Sequence, residues 1–167
     1  MTKGEALKVS IIFALLLLAV PAAAQTETQP TGLPLPRFAS LRADEVNVRT
    51  GPGPRYPVEW VFVRRSMPVE IVAEFDTWRR IRDWQGTEGW AHKSMLSGRR
   101  TIMIQGDVRT LRREATEDSP AVARAEPGVV GRIDSCDGAW CRVEISGFEG
   151  WLKRDEFWGA YPDERIK

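Results

Sequence analysis

Residues 67–96 read "MPVEIVAEFDTWRRIRDWQGTEGWAHKSML", and this stretch decides the fold. Apolar residues alternate with mostly polar neighbours at Val69, Ile71, Ala73 and Phe75, which is the two-residue period of a half-buried β-strand. Turn-forming residues in "FDTW" and "QGTEGW" bound the apolar runs, as is typical of strands joined by short hairpins. The stretch therefore predicts antiparallel strands, with these four apolar side chains on one face.

The same pattern returns in residues 127–158, "PGVVGRIDSCDGAWCRVEISGFEGWLKRDEFW". Trp140 follows Trp78 by 62 residues and Trp151 follows Trp90 by 61, and "EGWAHK" is matched by "EGWLKR". Self-similarity at a fixed period is the sequence signature of repeated structural units. The two copies therefore predict two small domains in tandem.

Each copy offers roughly five short strands in about 60 residues, which favours a small β-barrel. The predicted fold is all-β, with one barrel at 37–98, a second at 99–160 and a C-terminal tail at 161–167. No amphipathic helix is predicted in the mature chain. Single helical turns are expected near 93–96 and 155–158.

Residues 1–24 have the features of a secretory signal peptide: a basic start, an apolar run at 9–20 and a small-residue exit. The cleavage rule places the cut between Ala24 and Gln25. The alternative is an uncleaved membrane anchor, but the apolar run is shorter than the roughly 20 residues that a spanning helix needs. Residues 25–36 are polar and proline-rich and predict a disordered lead-in.

The charge of the mature chain limits its partners. Removing two lysines and one glutamate from the 24 basic and 23 acidic residues leaves 22 of each, so the net charge is about zero. A neutral chain has no broad field to attract nucleic acid or an anionic membrane surface. We expect an exported, periplasmic protein with no nucleic-acid partner and no stable membrane insertion after cleavage.

A glycine- and proline-rich segment, "NVRTGPGPRYP" at 47–57, has two interpretations. A phosphate-binding loop needs free backbone amides at a helix start, often followed by Lys-Ser or Lys-Thr. Here three prolines remove amide donors, and the following "VEWVFV" predicts a strand. Residues 50–57 therefore predict a long hairpin loop, either a plain turn or part of a binding rim.

Three segments, "VNVRTGPGPRYPVEW", "TWRRIRD" and "GTEGWAHKSML", resemble the bacterial SH3-like domain family, most closely the tandem form found in exported envelope proteins of Gram-negative bacteria. The resemblance covers about residues 37–160. The second copy lacks the opening motif, has "DVRTLRREATEDSP" there and rejoins the pattern at "VVGRIDSCDGAW". The resemblance implies barrels of five to seven strands and a binding or targeting role rather than catalysis.

Cys136 and Cys141 flank the turn "DGAW", where a hairpin sets them across from each other. In an exported, oxidised chain this spacing predicts a disulfide. A metal site is disfavoured, because two cysteines and the distant His92 fall short of four ligands. We expect His92 at the surface and no catalytic constellation, and no cofactor is predicted.

Aromatic side chains near loops are the candidates for ligand contact, because they stack on sugar rings and hold extended peptides. Trp90 and Trp151, which follow the "EG" turns, are expected in the barrel cores. The predicted groove joins aromatic residues with arginines that pair with ligand carboxylates. These residues are Arg49, Arg55, Tyr56, Trp60, Arg80 and Trp84.

The expected function is a non-enzymatic module that recognises a cell-wall element, either peptidoglycan peptide or glycan. The alternative is an envelope scaffold that binds another protein and no small ligand. A third class, a small hydrolase, has no motif to support it. The missing "GPGP" loop in the second copy predicts a mainly structural role for that barrel.

Overall fold

Two seven-stranded antiparallel sheets follow one another along the chain in the computed structural model, which describes residues 31–167. The prediction of an all-β fold with two tandem domains is confirmed. The predicted signal peptide, 1–24, and residues 25–30 of the predicted lead-in lie outside the described residues. Within 31–167, none of the helices has the length and apolar character to cross a membrane.

The first sheet forms the first barrel, with strand order β3-β2-β6-β5-β4-β1-β7. Two-residue alternation and short turns produce it as the sequence predicts. Its strands are β1 (Arg37–Leu41), β2 (Val46–Arg49), β3 (Val58–Phe62), β4 (Pro68–Phe75), β5 (Trp78–Arg82), β6 (Glu88–His92) and β7 (Leu96–Ser97).

The second sheet repeats the first strand for strand, in the order β10-β9-β13-β12-β11-β8-β14. The expected helical turns are single 3-10 turns at Lys93–Met95 and Arg154–Glu156, one in each barrel. The strands are β8 (Thr101–Ile104), β9 (Arg109–Arg112), β10 (Ala121–Ala125), β11 (Val130–Asp137), β12 (Trp140–Ile145), β13 (Phe148–Lys153) and β14 (Phe157–Trp158).

A bulge in β4 corrects the predicted strand face. Val69 and Ile71 are buried, but the register with β5 shifts between Ile71 and Ala73, so Ala73 pairs with Arg80 and Phe75 is 58% exposed. One extra residue in a strand reverses the direction of every side chain after it. The prediction that Ala73 and Phe75 share the core face is therefore wrong.

The bulge turns Glu74 inward, where its side chain has no exposed surface. Arg79 Nε lies 3.1 Å from Glu74 Oε1, Arg37 pairs with the same carboxylate, and the Thr31 hydroxyl and backbone N–H donate to it. Burial raises the pKa of Glu74, but the hydrogen bonds from Arg37 and Thr31 outweigh it, so the pKa lies below its usual value. A buried, ionised carboxylate therefore holds Arg79, Arg37 and the segment before β1 together.

The two barrels pack against each other through aromatic residues. The Phe38 ring of β1 lies 4.9 Å from Trp158 and 4.7 Å from Tyr161, and Met103 of β8 belongs to the core of the first barrel. The Tyr161 hydroxyl donates a 2.7 Å hydrogen bond to Glu70 Oε1 across the junction. Burial and this hydrogen bond raise the pKa of Tyr161 above its usual range.

Tyr161→Phe tests the junction through its pH dependence. At pH 8 the variant should be less stable by about 1.5–3 kcal/mol, the range for a hydrogen bond to a charged group. Tyr161 has a raised folded-state pKa, so its contribution is complete below the unfolded pKa near 10 and is lost above it. At pH 11 the wild type should therefore lose about 1.4 kcal/mol relative to the variant in urea unfolding. An equal stability difference at both pH values would contradict this account.

The predicted disulfide is confirmed. Cys136 and Cys141 are paired across the β11–β12 hairpin, with Cα atoms 4.0 Å apart. Ile166 of the C-terminal segment bridges Cys136 through the backbone and is buried in the second core. The disulfide therefore stabilises the β11–β12 hairpin and the part of β11 that pairs with Ile166.

The double variant Cys136→Ser with Cys141→Ser should lower the free energy of unfolding by about 2 kcal/mol, the loop-closure value for so short a loop. The first barrel should be unaffected, because both cysteines lie in the second. Urea unfolding of the variant and of the reduced wild type measures the loss, and the two should agree. Unchanged stability in both would contradict a stabilising role for the disulfide.

Candidate ligand-binding face

The loop at 50–57 joins the antiparallel strands β2 and β3, as predicted for a hairpin loop. Its conformation depends on close contact with Tyr56: a side-chain carbon on Gly51 would lie 2.5 Å from the Tyr56 ring. Arg49 Nη1 donates a 2.7 Å hydrogen bond to the Tyr56 carbonyl oxygen, and the Arg55 guanidinium lies 5.4 Å from the Tyr56 ring centroid. The loop is therefore fixed over the end of β2, with Arg49 and Tyr56 in contact.

Arg49, Trp90 and Arg80 form a row across β2, β6 and β5, which we call the first row. Trp90 is the register partner of both arginines. Directly opposed residues of antiparallel strands have neighbouring side chains on one face of the sheet. Their alternate neighbours point into the core, so the first row lies on the outer face.

Trp90 is half-buried on this outer face, so the expectation that it fills the core is wrong. Gly89 and Ala91 face inward instead, and a side-chain carbon on Gly89 would lie 2.4 Å from Val48 Cγ1. The core has room only for small residues of β6, which directs the larger Trp90 outward. The small residues on either side of Trp90 are the sequence signal that indicates this direction.

Charged residues surround Trp90. Arg80 Nη2 lies 2.7 Å from Glu88 Oε2, and Arg82 pairs with Glu88 at 2.7 Å and with Glu70 at 3.1 Å. The Arg80 side chain is 49% exposed. A guanidinium has five N–H donors in a planar fork, so Arg80 keeps donors for a ligand while Glu88 holds its position.

The structure brings together Arg49, Arg55 and Tyr56 at the loop, and it places Arg80 beside Trp90. Trp60 lies on the edge strand β3 and is 50% exposed. Ligand contact at the six predicted residues stays a prediction.

Trp84 lies elsewhere, in the turn between β5 and β6, beside a cavity of about 370 Å³. The other walls of this cavity come from the second sheet, from β8 and from the turn before β11. Trp84 therefore faces the junction between the barrels.

His92 is half-buried rather than fully exposed. Its Nδ1 lies 2.7 Å from the Ser94 hydroxyl, and its ring contacts Trp78 edge-on at 5.5 Å. Within residues 31–167, no group of three or more His, Cys, Asp or Glu side chains is arranged to hold a metal ion.

The family model described as "Bacterial SH3 domain" matches the chain twice, at residues 42–98 and 105–159. Two solved structures show weaker likeness, NlpC2 and NlpC1 from Trichomonas vaginalis, at 12% and 13% identity and a TM-score of 0.36 each. They cover 77% and 86% of this chain, which spans only 50% and 51% of theirs. No curated protein matches the chain in sequence.

Proposed function

Because the chain belongs to the bacterial SH3 domain family, we propose that it is an exported, periplasmic module that binds peptidoglycan without catalysis. Domains of this family are usually non-catalytic and commonly bind cell-wall components. The disulfide between Cys136 and Cys141 supports export, since disulfides persist in oxidising compartments. The proposal includes no cofactor.

The observation that carries the proposal is the first row, in which the half-buried indole of Trp90 lies on the outer face of the sheet between two arginines. Peptidoglycan offers carboxylates on its stem peptides and apolar faces on its sugars. Arginine binds a carboxylate through paired N–H donors, and an indole stacks on a sugar ring or an extended peptide. Arg80 and Trp90, with Tyr56 and Arg55 at the rim, supply both kinds of contact on one face.

Co-sedimentation with purified sacculi tests the proposal, at low and at physiological salt. Saturable pelleting that persists at physiological salt would support wall binding, because aromatic contacts resist the screening that weakens charge pairs. Failure to pellet at both salt concentrations would contradict it.

A second candidate, an envelope adaptor, has one observation in its favour. The edge strand β3 and the residue after it expose Val58, Trp60, Val61 and Val63, at 41 to 72% of their surface. An exposed apolar edge strand accepts an added strand from a partner protein. Co-purification of one envelope protein that Val61→Lys abolishes, without binding to sacculi, would favour this candidate over the first.

A further inference from the structure

The second barrel repeats the first row. Arg112, Trp151 and Arg142 lie side by side across β9, β13 and β12, with Trp151 as the register partner of both arginines. We call these residues the second row. Trp151 is half-buried on the outer face, so its expected place in the core is wrong as well.

The surroundings of the two rows agree in detail. Arg112 Nη1 donates to the carbonyl oxygen of Ser119, seven residues later, as Arg49 donates to Tyr56 seven residues later. Arg142 pairs with Glu149 at 2.6 Å, as Arg80 pairs with Glu88.

The glycine before each tryptophan has the same role in both barrels. A side-chain carbon on Gly150 would lie 2.6 Å from the carbonyl oxygen of Arg112. In the first barrel, a side-chain carbon on Gly89 would lie 3.0 Å from the carbonyl oxygen of Arg49. This close approach fixes the tryptophan strand beside the arginine strand in each copy.

The hydrophobic core of the second barrel does not include the side chains of the second row. The core below the second row consists of Leu111, Val143 and Leu152, which are fully buried. The Arg142–Glu149 pair is exposed on both sides, at 51% and 53%, and such pairs contribute about 0–1 kcal/mol. Two copies that keep the same outer-face side chains therefore share a surface chemistry as well as a fold.

The second row adjoins a cleft of about 550 Å³, lined by Trp140, Lys153, Arg154, Glu117 and Pro162 among others. Trp140 precedes Arg142 by two residues on the same face of β12, and the Lys153 ammonium lies 5.7 Å from the Trp140 ring centroid. Lys153 pairs with Glu117 from the loop between β9 and β10. In the free protein, the Glu117 carboxylate thus pairs with the Lys153 ammonium, which is the cation that a ligand carboxylate would bind.

We propose that the second barrel carries a binding site of its own, formed by the second row and the Trp140 cleft. Its ligand is an anionic peptide of the class proposed for the first row, the peptidoglycan stem peptides. The inference rests on the proposed function and makes the protein bivalent. Two sites on one chain make the second contact with a polymer intramolecular, which raises the affinity for a polymer far more than for a fragment.

The test compares three variants of the chain: Arg80→Ala with Trp90→Ala, Arg142→Ala with Trp151→Ala, and all four changes together. Each row variant should weaken binding to sacculi by about 30-fold or more, because an aromatic hot spot and the avidity are both lost. Soluble muropeptides released from the same sacculi should bind two per chain in the wild type and one per chain in each row variant. Arg124→Ala, an exposed arginine of β10, is the matched control and should behave as the wild type.

The outcomes separate the inference from the proposed function. The inference would be overturned, and the proposed function kept, if the wild type bound one muropeptide per chain and the second-row variant bound like the wild type. A wild type that binds neither probe would overturn both. If Trp151→Ala does not fold, Arg142→Ala alone should still weaken binding to sacculi.

A gain-of-binding variant adds an independent test. Glu117→Gln releases Lys153, so affinity for sacculi should rise by about two- to fivefold, as the loss of an exposed ion pair allows. The first barrel has no part in this change. Unchanged or weaker binding would count against the Trp140 cleft as part of the site.

Discussion

Glu74→Ala should lower the free energy of unfolding by about 3–5 kcal/mol, the cost of leaving a buried partner charge unpaired. Arg79 is only 5% exposed and would lose its carboxylate, while Arg37 and Thr31 would lose the same anchor. Urea unfolding at pH 7 measures the loss. Glu149→Ala removes a carboxylate from an exposed pair and should cost about 0–1 kcal/mol. Similar losses in both variants would contradict a buried ion pair in the first barrel.

The same carboxylate predicts sensitivity to acid. Glu74 has a lowered folded-state pKa, so its contribution is complete above the unfolded pKa near 4.3 and is lost as the pH falls through the folded value. The stability difference between wild type and Glu74→Ala should therefore shrink below about pH 4. A difference that stays constant down to pH 3 would show that folding does not lower the pKa of Glu74.

Trp90→Ala should weaken binding to sacculi by about 30-fold or more, which corresponds to the 2 kcal/mol or more of a hot-spot aromatic residue. Stability should fall less than for a core residue, since Trp90 is only half-buried on the outer face. Phe148→Ala is the aromatic control: Phe148 is exposed and lies on the alternate face of β13 from Trp151. Equal binding by wild type and Trp90→Ala would remove Trp90 from the site.

The repeat and its two-residue period suffice to predict the tandem barrels, and the spacing of Cys136 and Cys141 around a turn suffices to predict the disulfide. They could not predict the bulge in β4, because one inserted residue leaves the sequence pattern intact and only the pairing with β5 reveals it. The inward direction of Glu74 and the outward direction of Phe75 follow from that bulge.

The outward direction of Trp90 and Trp151 has a different physical cause. Size alone assigns Trp90 and Trp151 to the core, whereas the glycines before them approach the neighbouring strand too closely for any inward side chain. If Gly89 and Gly150 are taken as inward-facing positions, two-residue alternation places the tryptophan after each of them on the outer face.

The counterpart of Arg49 in the second barrel does not follow from the sequence motif. "VRT" occurs at residues 48–50 and again at 108–110, which pairs Arg49 with Arg109. The register pairs Arg49 with Trp90 and Arg112 with Trp151, so the equivalent arginine lies three residues further on. Contacts between the barrels, such as the hydrogen bond from Tyr161 to Glu70, join residues 91 positions apart and leave no local pattern.

Chemical-shift mapping tests the central claim, that the arginine–tryptophan rows are the binding surface. The protein would be labelled with ¹⁵N and titrated with soluble muropeptides while the indole N–H signals of its tryptophans are followed. We predict saturable shifts at Trp90 and Trp151 and at the backbone amides of their flanking arginines. Shifts confined to Trp60 on the edge strand or Trp84 at the junction, with Trp90 and Trp151 unmoved, would contradict the account.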